Sequence, residues 1–138
     1  MLNLSSERAA HVNERLNNDL ITWLTTVRPD GRPHTVPVWF LWDGSTILIF
    51  RAIKAKVHEL KQNPNVTLAL DPSKNGDDIV VVEGTAELVD DVNITATLPA
   101  FAKKYDALLK EMGWTAEMMA PNYPHVVRVT PKKILGFS

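Results

Sequence analysis

The sequence contains no cysteine. Disulfides, thiolate metal sites and a cysteine nucleophile are therefore excluded. It also lacks a long apolar run. No stretch approaches the roughly 20 residues that a membrane-spanning helix needs. The N-terminal segment MLNLSSERAAHVNERL is polar and charged, with no apolar signal core. These absences read as a cytoplasmic protein with no membrane partner. An excess of one charge sign is missing too: 15 Lys and Arg against 16 Asp and Glu leave a formal net charge of −1. No global basic field recruits nucleic acid, so no nucleic-acid partner is expected. There is no G-x-x-x-x-G-K and no G-x-G-x-x-G, so neither common nucleotide-binding loop is signalled. The histidines His11, His34, His58 and His125 are scattered without metal-ligand spacing, and no serine sits in a nucleophile elbow. No catalytic side chain and no metal ligand is assigned. If the protein is an enzyme, a cofactor carries its chemistry.

What is present fits one ordinary domain, residues 1–138, with 45% hydrophobic and 22% charged residues. SSERAAHVNERLN predicts a first helix capped by Ser5 or Ser6. LITWLTTV alternates as a strand, with Ile21, Trp23, Thr25 and Val27 on one face. Turns at Asp30-Gly31 and Asp43-Gly44 separate it from HTVPVWFLW and TILIF, which gives an antiparallel meander. A helix with Ile53, Val57 and Leu60 on one stripe ends at Asn63-Pro64. VTLAL and IVVVEGTAELV are further strands, and Gly84 marks a bulge or a close backbone approach. Between them, Asp77-Asp78 reads as a solvated turn. NITATLPAFAKKYDALLKEMG is the longest helix candidate, with Ile94, Leu98, Phe101, Tyr105, Leu108 and Met112 at helical spacing; Pro99 suits an early position, which puts the start of the helix proper near Leu98, and Gly113 suits its C-terminal end. Thr115 is read as the cap of a short turn before Pro121, and HVVRVTPKKILGF closes the chain as one strand or two. The count is about six strands and two or three helices, an antiparallel barrel or sandwich with peripheral helices.

Two features point beyond the fold. The strand HTVPVWFLW is apolar on both faces, with Val36, Val38, Phe40 and Trp42 opposed to Pro37, Trp39 and Leu41. A barrel buries one face only, so a helix, a ligand or a second subunit must cover the other; a dimer is the expectation. The segment FRAIKAKVHELKQNP carries Arg51, Lys54, Lys56, His58 and Lys61 into the start of a helix. Cations are disfavoured at that end, because its unpaired N–H groups already carry partial positive charge. A bound anion such as a phosphate resolves the conflict; a solvated lysine face is the plain alternative.

The segments TTVRPDGRPHTVPVWFLWDG, KAKVHELKQNPNVTLAL and VVVEGTAELVDD, in that order, resemble the pyridoxamine 5′-phosphate oxidase-like family. The tail from Lys103 looks most like the branch of deazaflavin-dependent reductases. The resemblance covers nearly the whole chain after Leu20. It implies a mainly β fold with peripheral helices (α+β), a six-stranded antiparallel split β-barrel of Greek-key, FMN-binding type. It implies a homodimer with cofactor sites at the interface, FMN or alternatively coenzyme F420 as cofactor, and hydride or electron transfer with a small-molecule substrate. By position, Lys56 matches the family's phosphate-binding lysine, with Lys54 and Arg51 as helpers. Val36, Pro37, Val38 and Trp39 would lie along the ring, and His125 and Arg128 would complete the partner's site. One position departs from the pattern: Phe50 stands where the family commonly places a Ser or Thr on the phosphate. A non-catalytic flavin or haem carrier is the alternative function.

Overall fold

The computed structural model describes residues 4–50, 54–71, 75–89, 94–115 and 126–137. Its elements run α1 (Ser6–Asn18), β1 (Thr22–Val27), β2 (Pro33–Val38), β3 (Phe40–Trp42), β4 (Ile47–Ile49), α2 (Lys54–Gln62), β5 (Asn65–Leu70), β6 (Ile79–Leu88), α3 (Ile94–Met112) and β7 (Val127–Phe137). Seven strands form one antiparallel sheet in the order β2-β1-β5-β6-β7-β4-β3.

The order itself shows that the sheet is curled. β2 and β3 occupy opposite edges, yet only Trp39 separates them in the chain. Two Cα steps span at most about 7.6 Å, whereas the edges of a flat seven-stranded sheet stand roughly 29 Å apart. The edges therefore meet at Trp39, and the sheet closes as a split β-barrel. The strand count is seven and not six, because HTVPVWFLW is two strands: Val38 pairs with Thr22, while Phe40 pairs with Ile49.

The change of partner strands the Phe40 N–H at the joint. The Tyr105 hydroxyl of α3 accepts from it at 2.9 Å and donates to the Leu20 carbonyl at 2.7 Å. The Tyr105 ring stacks on Trp39 at 4.6 Å between centroids, with 7° between planes. Tyr105 thus satisfies backbone groups that no ladder could pair.

Alternation along the strands fills the interior. Leu24, Phe40, Trp42, Leu68, Leu70, Val80, Val82 and Val129 face inward, and α1 and α2 add Val12, Leu16, Val57 and Leu60 to the same core. Ser5 caps α1, its side chain accepting from the Arg8 N–H at 3.1 Å. A second cluster lies outside the barrel, where Phe101, Tyr105 and Leu109 of α3 cover Leu48, Phe50 and Val126, with Trp39 and Leu41 packed alongside. The second apolar face of β2–β3 is therefore covered in part by a helix of the same chain. The stripe of α3 runs through Leu109; Leu108 is only packed at its margin and Met112 is 40% exposed. The helix spans nearly the whole candidate segment, from Ile94, so Pro99 lies inside it and does not mark its first turn. Proline there deletes one backbone bond, to Thr95, which leaves the helix intact. Ile53 and the Thr115–Pro121 turn fall outside, or run outside, the described residues.

β7 is a single long strand despite Pro131, which faces Gly84 where the β6–β7 register shifts. A Cβ on Gly84 would lie 2.4 Å from the Thr130 carbonyl oxygen, so the position requires glycine. Asp78 is no solvated turn residue: it pairs with Arg15 at 3.0 Å and with His11 at 2.9 Å, tying the entry of β6 to α1. Trp23, Thr25 and Val27 form the outer face of β1, with Ile21 just ahead of the strand, while Thr22, Leu24 and Thr26 point inward. Registers across five strands align Pro37, Trp23, Ala69, Val81 and Leu135 as an apolar row on the outside of the sheet, with Trp23 46% exposed. Among the described residues, no helix is long and apolar enough to cross a membrane.

Candidate functional site

The basic residues of α2 do not all face water. Lys56 is 1% exposed, and its ammonium points at the β1–β2 hairpin. It donates to Thr26 Oγ1 at 2.6 Å and to the His34 carbonyl, and it lies 3.7 Å from Glu59 Oε2. The Thr26 hydroxyl passes its own hydrogen to Glu59 at 2.6 Å. His34 Nδ1 stands 2.9 Å from Glu59 Oε1, and Arg28 Nε 3.8 Å from the same oxygen. One carboxylate thus serves Lys56, Arg28, His34 and Thr26.

Local sequence explains how this corner assembles. The turn at Asp30-Gly31 sets a register in which Thr26 pairs with His34, so both fall on the face toward α2. Lys56 and Glu59 are three apart on α2, which brings them to one side of the helix. Burial pulls the Lys56 pKa down, and Arg28 adds to that, while the charge and hydrogen bonding of Glu59 pull it back up; the net shift is downward. Burial pushes Glu59 up, but hydrogen bonds from Thr26 and His34 and the charge of Lys56 outweigh it and hold the carboxylate below its usual range. With Arg28 and Lys56 against Glu59, the corner carries one formal positive charge more than it neutralises internally.

The other expected site residues are distributed as follows. Val36 and Val38 are half-buried on the inward face of β2, and Pro37 is exposed on its outer face. Trp39 is half-buried at the β2–β3 joint against Tyr105 and Phe101. The bond from Lys56 to the His34 carbonyl places this run two residues beyond the charged corner on the same strand. Arg128 is half-buried on β7, in one row with Leu48 and Glu87. It is separated from the joint at Trp39 by β4 and β3, so the chain does not bring it to Lys56. Arg51, His125 and the Lys54 side chain lie outside the described residues. Phe50 is 3% exposed and packs edge-on against Phe101 at 5.2 Å, so it serves the outer core under α3. Thr26, Arg28 and Glu59 were not among the residues expected from sequence. Their signals were the Lys56-x-x-Glu59 spacing and the hairpin register.

Comparison with known proteins gives a consistent assignment. A family model described as pyridoxamine 5′-phosphate oxidase matches residues 9–137. A solved structure named F420 Reductase is 30% identical, with a TM-score of 0.69 over 89% of this chain and 94% of that one. A conserved hypothetical protein from Mycobacterium tuberculosis aligns at 22% identity and a TM-score of 0.75, covering 99% of this chain and 86% of that one. An FAD-binding protein from Mesorhizobium loti aligns at 21% identity and 0.64, covering 96% and 92%. The last two likenesses are of fold alone. No curated protein matches the sequence.

Proposed function

The chain belongs to the pyridoxamine 5′-phosphate oxidase family, and from that premise we propose that it binds FMN or coenzyme F420 between two copies of itself and serves as an oxidoreductase for a small organic substrate. The observation that carries this reading is the coupling of the charged corner to β2. Lys56, through the His34 carbonyl, fastens the start of α2 to the strand that leads into Val36, Pro37, Val38 and Trp39. A phosphate-bearing ligand with a flat apolar ring needs those two surfaces side by side.

The residues present fit such a group. The corner holds Arg28 and Lys56 against the single carboxylate of Glu59, and the first N–H groups of α2 lie at the same end. Lys56 acts here through charge and position, since its ammonium is enclosed; direct contact with the phosphate falls to Lys54 and Arg51 and to the helix N–H groups. Trp39, held by Tyr105, gives the ring a fixed wall. The outer row of Pro37, Trp23, Ala69, Val81 and Leu135 supports a subunit seat. It lies beside the half-exposed strand that the ring would use, and Arg128 and His125 of the partner copy would close the site. When bound, the tricycle supplies the hydride chemistry; the protein binds it, orients it and excludes water.

Titration of the purified protein with FMN and with coenzyme F420, followed by absorbance, tests the reading. Saturable binding of either, with a stoichiometry of one per chain, supports it. Binding of neither refutes it. Turnover with a reductant and an acceptor then separates an enzyme from a carrier.

A further inference from the structure

The β1–β2 ladder is a ruler along the candidate site. Its register pairs Leu24 with Val36, Thr26 with His34 and Val27 with Pro33, and the Arg28 N–H donates to the Arg32 carbonyl at 2.8 Å just beyond. Alternation puts Leu24, Thr26 and Arg28 on one face, the face toward α2. Three levels follow, each about 7 Å from the next. Val36, where the run expected along the ring begins, marks the first. Lys56, held on Thr26 and the His34 carbonyl, marks the second. Arg28 marks the third, on the far side of Lys56 from the ring run.

Arg28 is a spare cation at that level. Its Nε stands 3.8 Å from Glu59 Oε1, beyond hydrogen-bond distance. Glu59 is already supplied with donors: its carboxylate accepts from Thr26 at 2.6 Å and stands 2.9 Å from His34 Nδ1, with the Lys56 ammonium 3.7 Å away. Among the described residues the Arg28 guanidinium donates no hydrogen bond, and its side chain is 44% exposed. Its planar fork of N–H donors suits a carboxylate. The chain thus sets an accessible, uncommitted arginine in line with the ring run and Lys56, one step further out.

We propose that Arg28 binds an anionic extension of the cofactor beyond its phosphate, and so selects coenzyme F420 over FMN. The assignment rests on the cofactor binding proposed above and narrows it to one of the two candidates. With its ring along Val36–Trp39 and its phosphate at the level of Lys56, FMN ends one level short of Arg28. Coenzyme F420 continues through a phosphodiester into a tail that bears glutamate carboxylates, and that tail reaches the third level. Arg28 sets specificity here and takes no part in the chemistry at the ring.

The test is a binding titration of the full chain with three probes: coenzyme F420, the same cofactor stripped of its glutamates, and FMN. The parent should bind the tailed cofactor about 10-fold more tightly than the stripped one, as a hydrogen bond between charged groups provides. Arg28→Met should remove that preference and leave the affinities for stripped cofactor and FMN within ~2-fold, since an exposed charge acts weakly at a distance in salt. Arg28→Lys, which keeps the charge without the fork, should restore part of it. The comparison of tailed and stripped cofactor in the parent needs no variant, so an unstable Arg28→Met would not spare the proposal. Equal affinity for tailed and stripped cofactor, FMN bound as tightly as coenzyme F420, or a tail preference that survives in Arg28→Met overturns it and leaves cofactor binding itself standing. Binding of none of the three overturns both.

Discussion

Replacement of Lys56 by methionine distinguishes a lysine that only awaits a ligand from one that also holds the fold. The ammonium is 1% exposed, donates to Thr26 Oγ1 and to the His34 carbonyl, and lies 3.7 Å from Glu59. Methionine refills most of the volume but supplies no donor. The His34 carbonyl loses its ammonium and Glu59 loses a counter-charge in a place that is 4% exposed. Removing one partner of a buried pair typically costs ~3–5 kcal/mol. Two considerations lower the figure. Glu59 keeps Thr26 at 2.6 Å and His34 at 2.9 Å. Removal also relieves the desolvation that already depresses the Lys56 pKa, a depression that sets the charged lysine against folding at neutral pH. The expected loss is therefore roughly 2–3 kcal/mol for the ligand-free protein, a fall in Tm on the order of 10 °C.

Urea unfolding of the ligand-free parent and variant reads this directly. Glu59→Gln should lose stability too, and the double variant should lose less than the sum of the singles by at least ~1 kcal/mol, because each single change strands the other's charge. Affinity for FMN should fall by about 10-fold or more, through loss of positive charge and of the α2–β2 fastening. An unchanged urea midpoint in Lys56→Met would refute the enclosed geometry, whatever happens to the affinity.

Further expectations follow from single contacts. Tyr105→Phe leaves the Phe40 N–H and the Leu20 carbonyl without the hydroxyl they share; calorimetry should show a loss of roughly 1–3 kcal/mol, while Tyr105→Leu, which also removes the Trp39 stack, should lose more. Gly84→Ala drives a methyl to 2.4 Å from the Thr130 carbonyl oxygen, a backbone atom that cannot step aside; a destabilisation of about 1–3 kcal/mol is expected in denaturant unfolding. The bond from His11 holds Asp78 below the usual carboxylate range, burial opposes it, and Arg15 reinforces it. Its contribution is present above ~3.9, the free carboxylate value, and drains away as pH falls through the lower folded value. Asp78→Asn should therefore lower the urea midpoint at neutral pH, change it little in strong acid, and flatten the slope between. Trp23→Glu alters an outward side chain that is 46% exposed; stability of the single chain should stay within ~0.5 kcal/mol, and if the proposed homodimer seats on this row, light scattering should report a shift from dimer to monomer.

The sequence declared its local geometry well and its closure badly. Asp30-Gly31 and Asp43-Gly44 each end in a glycine with positive φ, 90° at Gly31 and 97° at Gly44, so both hairpins were readable from turn chemistry. Ser5 was readable as a cap, and Gly84 as the site of a register shift. The joint at Trp39 was not readable. No glycine or proline stands between Val38 and Phe40, so VPVWFLW reads as one strand. What bends it there is α3, whose Tyr105 lies 65 residues further on and supplies the missing hydrogen-bond partner. The same limit applies to the α2 corner. KAKVHELKQ reads as a basic face because the partners that enclose Lys56 are remote, Thr26 at a separation of 30 residues and the His34 carbonyl at 22. Charge runs are usually solvated, and the exception arises when a hairpin register happens to stack acceptors under one lysine of the run. The helix-dipole conflict that singled out this segment is answered in part from inside the chain: Lys56 turns inward, onto Thr26, the His34 carbonyl and Glu59, so the anion proposed at the start of α2 has no need to touch it.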